Sequence, residues 1–166
     1  MRKMVLQLLA DNNSGVLSRI SGLFSRRGYN IESITAGVTA DPRFSRITIV
    51  TSGDDEVLEQ IQKQVAKLVD VRDVKQLDPE ESVYRELAMI KVKVSPEQRQ
   101  SIVAMADIFR GSIVDVAKEC VIVEITGAQS KIDKFIELLD GFEILELART
   151  GIAGLTRGSE NVTYLS

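Results

Sequence analysis

Apolar residues recur along this chain with two alternating periods. Val5, Leu6, Leu8 and Leu9 fall within Met4–Leu9, an apolar run that reads as a buried strand. The run stops at Ala10-Asp11-Asn12-Asn13-Ser14-Gly15, and helical spacing follows at Val16, Leu17, Ile20, Leu23 and Phe24. That spacing predicts a helix over 15–27, ended by Gly28 in the position glycine favours after a helix. Tyr29–Thr39 alternates through Ile31, Ile34, Ala36 and Val38 and predicts a strand. Asp41-Pro42-Arg43 makes a turn, and Ser45–Thr51 returns as a second alternating strand. Gly53-Asp54-Asp55 opens a helix over Glu56–Leu68, with acidic residues placed where the helix dipole favours them. Val69–Leu77 closes the set as a strand. The order is β-α-β-β-α-β.

The order then repeats. Asp78-Pro79-Glu80-Glu81-Ser82 combines proline with acidic residues and reads as a linker. Strand spacing over Leu87–Val94 leads into a helix over Pro96–Arg110. Strands at Ser112–Ala117 and Val121–Thr126, a helix at Ser130–Asp140 and a strand at Phe142–Ala148 complete the second half. Local echoes support duplication: Phe24-Ser25-Arg26-Arg27-Gly28 beside Phe109-Arg110-Gly111, and Thr51-Ser52-Gly53 beside Thr126-Gly127. Each half has the size of a split-βαβ, ferredoxin-like unit. The expected architecture is therefore α+β, two tandem ferredoxin-like domains over 1–78 and 84–166 joined by a linker at 79–83. Helices on one sheet face leave the other face needing a partner, from the second half or from a second chain.

Candidate chemistry concentrates where the first strand gives way to the first helix. The first turn of a helix carries unpaired N–H groups and a partial positive charge, so it can hold a carboxylate or a phosphate. Asn12, Asn13 or Ser14 can cap it, and Gly15 lets a ligand approach the backbone. The second half has Ser95-Pro96-Glu97-Gln98 at the same place; proline removes an amide and Glu97 repels an anion. If a helix start binds an anionic group, only the first half is expected to do so.

Composition narrows the function further. The 166 residues contain no histidine, which removes Ser-His-Asp and Cys-His machinery and the commonest metal ligand. The single cysteine, Cys120, sits in the apolar run Cys120-Val121-Ile122-Val123 and reads as an inert thiol. A net charge of −3 and a pI near 5.1 argue against a nucleic-acid partner. No apolar stretch is long enough to span a membrane, and Met1-Arg2-Lys3-Met4 leads straight into a strand, so a cytoplasmic location is expected. Gly15, Gly22 and Gly28 match neither phosphate-binding glycine fingerprint.

Two families share parts of this pattern. Gly15-Val16-Leu17-Ser18-Arg19 resembles the G-V-x-x-R segment of acylphosphatases, although Arg19 falls a full turn inside the helix and the usual preceding Gln-Gly is missing. A far longer likeness runs through Asn12-Asn13-Ser14-Gly15-Val16-Leu17-Ser18-Arg19 and Gly28-Tyr29-Asn30-Ile31-Glu32-Ser33-Ile34. It continues through Ser45–Ile49, Val57–Ile61, Lys67–Val71, Ile108–Gly111 and Ala148-Arg149-Thr150-Gly151. Over nearly its whole length the sequence resembles the regulatory (small) subunit of acetolactate synthase, also called acetohydroxyacid synthase.

That resemblance implies an N-terminal ACT domain that senses amino acids and no catalysis by this chain. It implies a homodimer whose ACT domains pair, with a branched-chain amino-acid effector at their interface. The implied partner is the catalytic large subunit, which carries thiamine diphosphate, Mg2+ and FAD, and the resemblance implies no cofactor and no metal in this chain. Feedback inhibition in the family is usually by valine, with leucine or isoleucine in some members. The family's effector positions fall on Asn12 and Gly15 in the first loop and on Asn30, followed by Ile31. Ala10-Asp11 departs from the glutamate that many relatives carry before the asparagine. The expected effector set is Asn12, Asn13, Ser14, Gly15, Val16, Leu17, Asn30 and Ile31. A stand-alone amino-acid sensor serving another enzyme is the alternative, and the C-terminal domain is expected to contact the catalytic subunit or to help dimerise.

Overall fold

The computed structural model describes residues 1–159; residues 160–166 of the expected C-terminal domain lie outside the described residues. The elements, in chain order, are β1 (Arg2–Asp11), α1 (Val16–Arg27), β2 (Ser33–Val38), β3 (Phe44–Gly53), α2 (Asp55–Ala66) and β4 (Val71–Leu77). They continue with β5 (Ser82–Lys93), α3 (Arg99–Ile108), β6 (Ser112–Val116), β7 (Cys120–Gly127), α4 (Gln129–Leu138), β8 (Glu143–Arg149) and β9 (Ala153–Thr156). Both βαββαβ sets predicted from periodicity are present, and both are ferredoxin-like.

By contacts the chain divides into two units. The first is Met1–Val83 together with the chain from Ile152 onward; the second is Tyr84–Gly151. Sequence periodicity ended the first domain near Asp78 and ran the second to the end of the chain. The difference arises at β9, where the Gly154 carbonyl accepts from Arg46 Nη2 at 3.3 Å and the Arg157 amide just beyond donates to the Glu81 carbonyl at 2.7 Å. The expected linker is accordingly a tight turn. The Glu81 and Glu80 amides donate to the Asp78 carbonyl and carboxylate, and Ser82 already starts β5 and is buried.

The first unit is a four-stranded antiparallel sheet in the order β2-β3-β1-β4. Met4, Leu6, Leu8 and Ala10 of β1 and Ile47 and Ile49 of β3 pack against Val16, Ile20 and Phe24 of α1 and Leu58, Ile61 and Val65 of α2. The other face of β1 is buried as well, through Val5, Gln7 and Leu9, which is why Met4–Ala10 runs apolar instead of alternating. Gly28 ends α1 with φ +69°, and the Tyr29 and Gly28 amides return to the Phe24 and Ser25 carbonyls. Tyr29 then stacks edge-on against Phe24, ring centroids 5.9 Å apart, so β2 begins only at Ser33.

The second unit repeats the order as β6-β7-β5-β8. Its core joins Ile90, Val92, Val121, Val123 and Ile125 to Ile102 of α3 and Phe135 of α4. The turn before α3 closes on itself: the Ser95 amide donates to Gln98 Oε1, and the Gln98 amide donates to the Ser95 hydroxyl and carbonyl. The helix consequently starts at Arg99, beyond the proline.

Candidate functional site

The loop between β1 and α1 is held from two sides. The Asp11 amide donates to the Asp70 carbonyl and the Asn12 amide to the Arg43 carbonyl, both at 2.8 Å. The Asn12 side chain is committed to the β2–β3 turn: Nδ2 donates to the Pro42 carbonyl and Oδ1 accepts from the Ser45 hydroxyl, both at 3.0 Å. Asn13 and Ser14 are exposed. None of the three caps the helix. Gly15 occupies the cap position with φ +85°, a left-handed conformation that a side chain strains, and no side chain bonds the first turn. The amides that open α1 therefore have no intrahelical acceptor and no capping oxygen. At the matching place in the second unit, Ser95 and Gln98 close the turn with their own side chains.

Charged groups outside the expected effector set surround this loop. Arg19 Nε donates to Asp70 Oδ2 at 2.5 Å, and Arg72 forks onto the Asp11 carboxylate at 2.8 and 3.1 Å. Hydrogen bonding to these carboxylates raises both guanidinium pKa values above their ordinary level. The loop is thus flanked by two cations and two anions that balance. A Cβ on Gly15 would lie 3.0 Å from Arg19 Nη1, so the guanidinium folds back over the helix start. The available signal was direction: helical side chains lean toward the N-terminus, so the residue one turn in overlies the cap.

The remaining predicted residues divide. Val16 turns into the core and is 4% exposed, so only its backbone faces the loop. Leu17 is 48% exposed and presents an apolar side chain next to Gly15. Asn30 and Ile31 lie elsewhere. Asn30 Nδ2 donates to the Ser52 hydroxyl at 3.3 Å, its carbonyl accepts from Thr51, and Ile31 packs at the edge of the core. Ser45, which holds Asn12, pairs with Ala10, whereas Ser52 pairs with Lys3. Seven residues along β3 separate the two serines, roughly 23 Å at strand rise. The chain does not bring Asn12–Leu17 together with Asn30 and Ile31.

Among the described residues no group of three or more acidic, cysteine or histidine side chains is placed to hold a metal ion. No helix of the described residues is long and apolar enough to cross a membrane.

Comparison with known proteins is extensive. The family described as the AHAS small subunit-like ACT domain matches residues 6–73, and that described as the small subunit of acetolactate synthase matches residues 85–158. A probable acetolactate synthase small subunit from Methanothermobacter thermautotrophicus is 49% identical over 159 residues, covering 95% of each chain. The acetolactate synthase isozyme 3 small subunit of Escherichia coli is 46% identical over 157 residues, covering 94% of this chain and 96% of its own. The crystal structure of the acetolactate synthase small subunit from Thermotoga maritima superposes with a TM-score of 0.89 at 45% identity, covering 96% of this chain and 99% of that one. With the ACT-type first unit, the repeated ferredoxin-like second unit and relatives matched over most of their length, the chain belongs to the acetolactate synthase small-subunit family.

Proposed function

We propose that this chain binds and activates the catalytic large subunit of acetolactate synthase and makes it sensitive to a branched-chain amino acid, valine or a close relative. The thiamine diphosphate, Mg2+ and FAD of that reaction belong to the large subunit, and the complex works in the cytoplasm. The observation that carries the reading is the separation of the two predicted half-sites. The Gly15 loop and Asn30 sit at opposite ends of β3, roughly 23 Å apart at strand rise, too far for one amino acid to touch both. Two chains paired about a two-fold axis place the Gly15 loop of one beside Asn30 of the other, so the site exists only in the homodimer.

A free branched-chain amino acid fits such a composite. Its carboxylate takes the unpaired amides that open α1. Its ammonium takes the carbonyl oxygen of the Asn30 side chain of a second copy, whose amide nitrogen is already given to Ser52. Leu17 and Ile31 supply apolar surface, and burying a side chain of that size contributes about 1.5–3 kcal/mol. A ligand shared by two chains binds one relative arrangement better than another. Coupling of about 1–3 kcal/mol is enough for allosteric inhibition.

Thermal melting of the chain with and without L-valine, L-leucine and L-isoleucine tests this. The melting temperature should rise with at least one of them, because the ligand binds only the native dimer. Gly15→Asp should abolish the rise, since its carboxylate would land on Arg19 where the ligand's carboxylate belongs. An unchanged rise in that variant removes the loop from the site. Mixing the chain with the large subunit should change both acetolactate output and valine sensitivity; no change in either would favour a sensor serving another enzyme.

A further inference from the structure

The sequence places Arg19 a full turn into α1, remote from any ligand at the helix start. Three observations bring it back. Helical side chains lean toward the N-terminus, and Arg19 Nη1 lies 3.0 Å from the point a Gly15 Cβ would occupy. Its Nε is held by Asp70, a residue only 8% exposed whose carbonyl also receives the Asp11 amide. The guanidinium is therefore moored to the same backbone that fixes the loop. Its Nη1 and Nη2 donate to nothing among the described residues, so the outer edge of the fork is open.

We infer that Arg19 is the residue that makes this site select a free carboxylate. Its two open Nη groups take the effector's carboxylate against the Gly15–Val16 backbone, and Asp70 sets their position. Backbone amides alone accept any acceptor oxygen, including a neutral amide carbonyl. A fork of two charged donors discriminates, because a carboxylate offers two anionic oxygens in matching geometry and a carboxamide offers one neutral one. Gly15 is required for a second reason on this account. Any side chain there strains the left-handed backbone and also stands on Nη1, in the carboxylate's place. Asp70 and Arg19 already neutralise each other, so an incoming carboxylate adds its own charge while its ammonium, at the other chain, removes it.

This inference rests on the proposed amino-acid site, and the experiment separates the two. The full-length chain is titrated calorimetrically with L-valine and with L-valinamide, as wild type, Arg19→Gln and Arg19→Lys. Wild type should bind valine at least about tenfold more tightly than valinamide. Arg19→Gln should lose about tenfold to a hundredfold in valine affinity, the range expected for a charge-assisted hydrogen bond, and change little toward valinamide. Arg19→Lys should fall between, because it keeps the charge and loses the fork. Arg19→Gln leaves the buried Asp70 carboxylate without its cation and should melt below wild type, so the valine-to-valinamide ratio, which a general loss of stability leaves unchanged, carries the reading. Wild type that binds no branched-chain amino acid sinks the site reading and this inference with it. Wild type that binds valine, while Arg19→Gln keeps the valine-to-valinamide ratio, sinks the inference alone. Equal losses for both ligands in Arg19→Gln also overturn it, since that would mark a structural role.

Discussion

At a single residue, the burial of a charge decides what the loss of its partner costs. Gly28 follows α1 with positive φ, as its place in the pattern requires, whereas Gly15, read as the first helical residue, is the left-handed cap instead. Nothing along the sequence tied Glu86 to Arg149, yet the guanidinium forks onto that carboxylate at 2.7 and 3.1 Å, and the Glu86 side chain is 3% exposed. Replacing Arg149 by Met should strand a buried charge and cost about 3–5 kcal/mol. Asp133→Asn removes the other, exposed partner of Arg149 and should cost no more than about 1 kcal/mol. Urea midpoints of the two variants compare them directly. Asp41 supplies a pH test. Hydrogen bonds from the Arg43 side chain and amide hold its carboxyl at about 2, below the ordinary carboxylate range. A depressed carboxyl contributes stability that is present above its unfolded pKa and lost as pH falls through its folded one. The stability gap between wild type and Arg43→Ala should thus be constant above about pH 5 and shrink between about pH 4 and 2. Urea melts across that window measure it.

At the scale of elements, periodicity carried most of the order because each apolar face is buried against its own neighbours. Ile20 and Phe24 share one core with Leu6 and Leu8, and Ile132 and Phe135 share the other with Val121 and Val123. Boundaries moved where side chains decide them. Asp54, read as part of a start signal, is the cap of α2 and accepts from the Val57 amide at 2.9 Å. Asp54→Ala should lower stability by about 1 kcal/mol, visible as a shifted urea midpoint with unchanged slope. Asn12, one of three candidate caps, instead joins the β2–β3 turn, a contact between segments thirty residues apart that no local pattern encodes. The distance between the two halves of the candidate site follows from topology: α1 carries the chain back along β1, so whatever follows Gly28 must lie at the end where β1 began. β9 has four residues, of which only Gly154 is buried, too short and too weakly patterned to be read as a strand.

On the scale of the whole molecule, the chain order and the folded units do not coincide. The second unit is one continuous stretch, Tyr84–Gly151, with its own core of Ile90, Val123, Ile132 and Phe135. The first is assembled from two stretches, because the chain returns to it after Gly151. Ile152 and Gly154 are buried there, and Arg46, half buried and without a carboxylate partner among the described residues, donates Nη2 to the Gly154 carbonyl at 3.3 Å. Burial lowers the Arg46 pKa, so that carbonyl is part of what makes the charge tolerable. A cut after Val83 therefore does not isolate the sensing unit. It removes the Gly154 carbonyl that accepts from Arg46 and the Arg157 amide that donates to the Glu81 carbonyl. A fragment of residues 84–151 should unfold cooperatively by itself, whereas residues 1–83 should be less stable than the same residues in the full chain. Amide exchange checks this. In a chain ended after Gly151, protection should fall around Arg46 and Ser82 and persist at Ile90 and Val123; uniform loss, or loss at neither place, would mean that the returning segment does not belong to the first unit's fold.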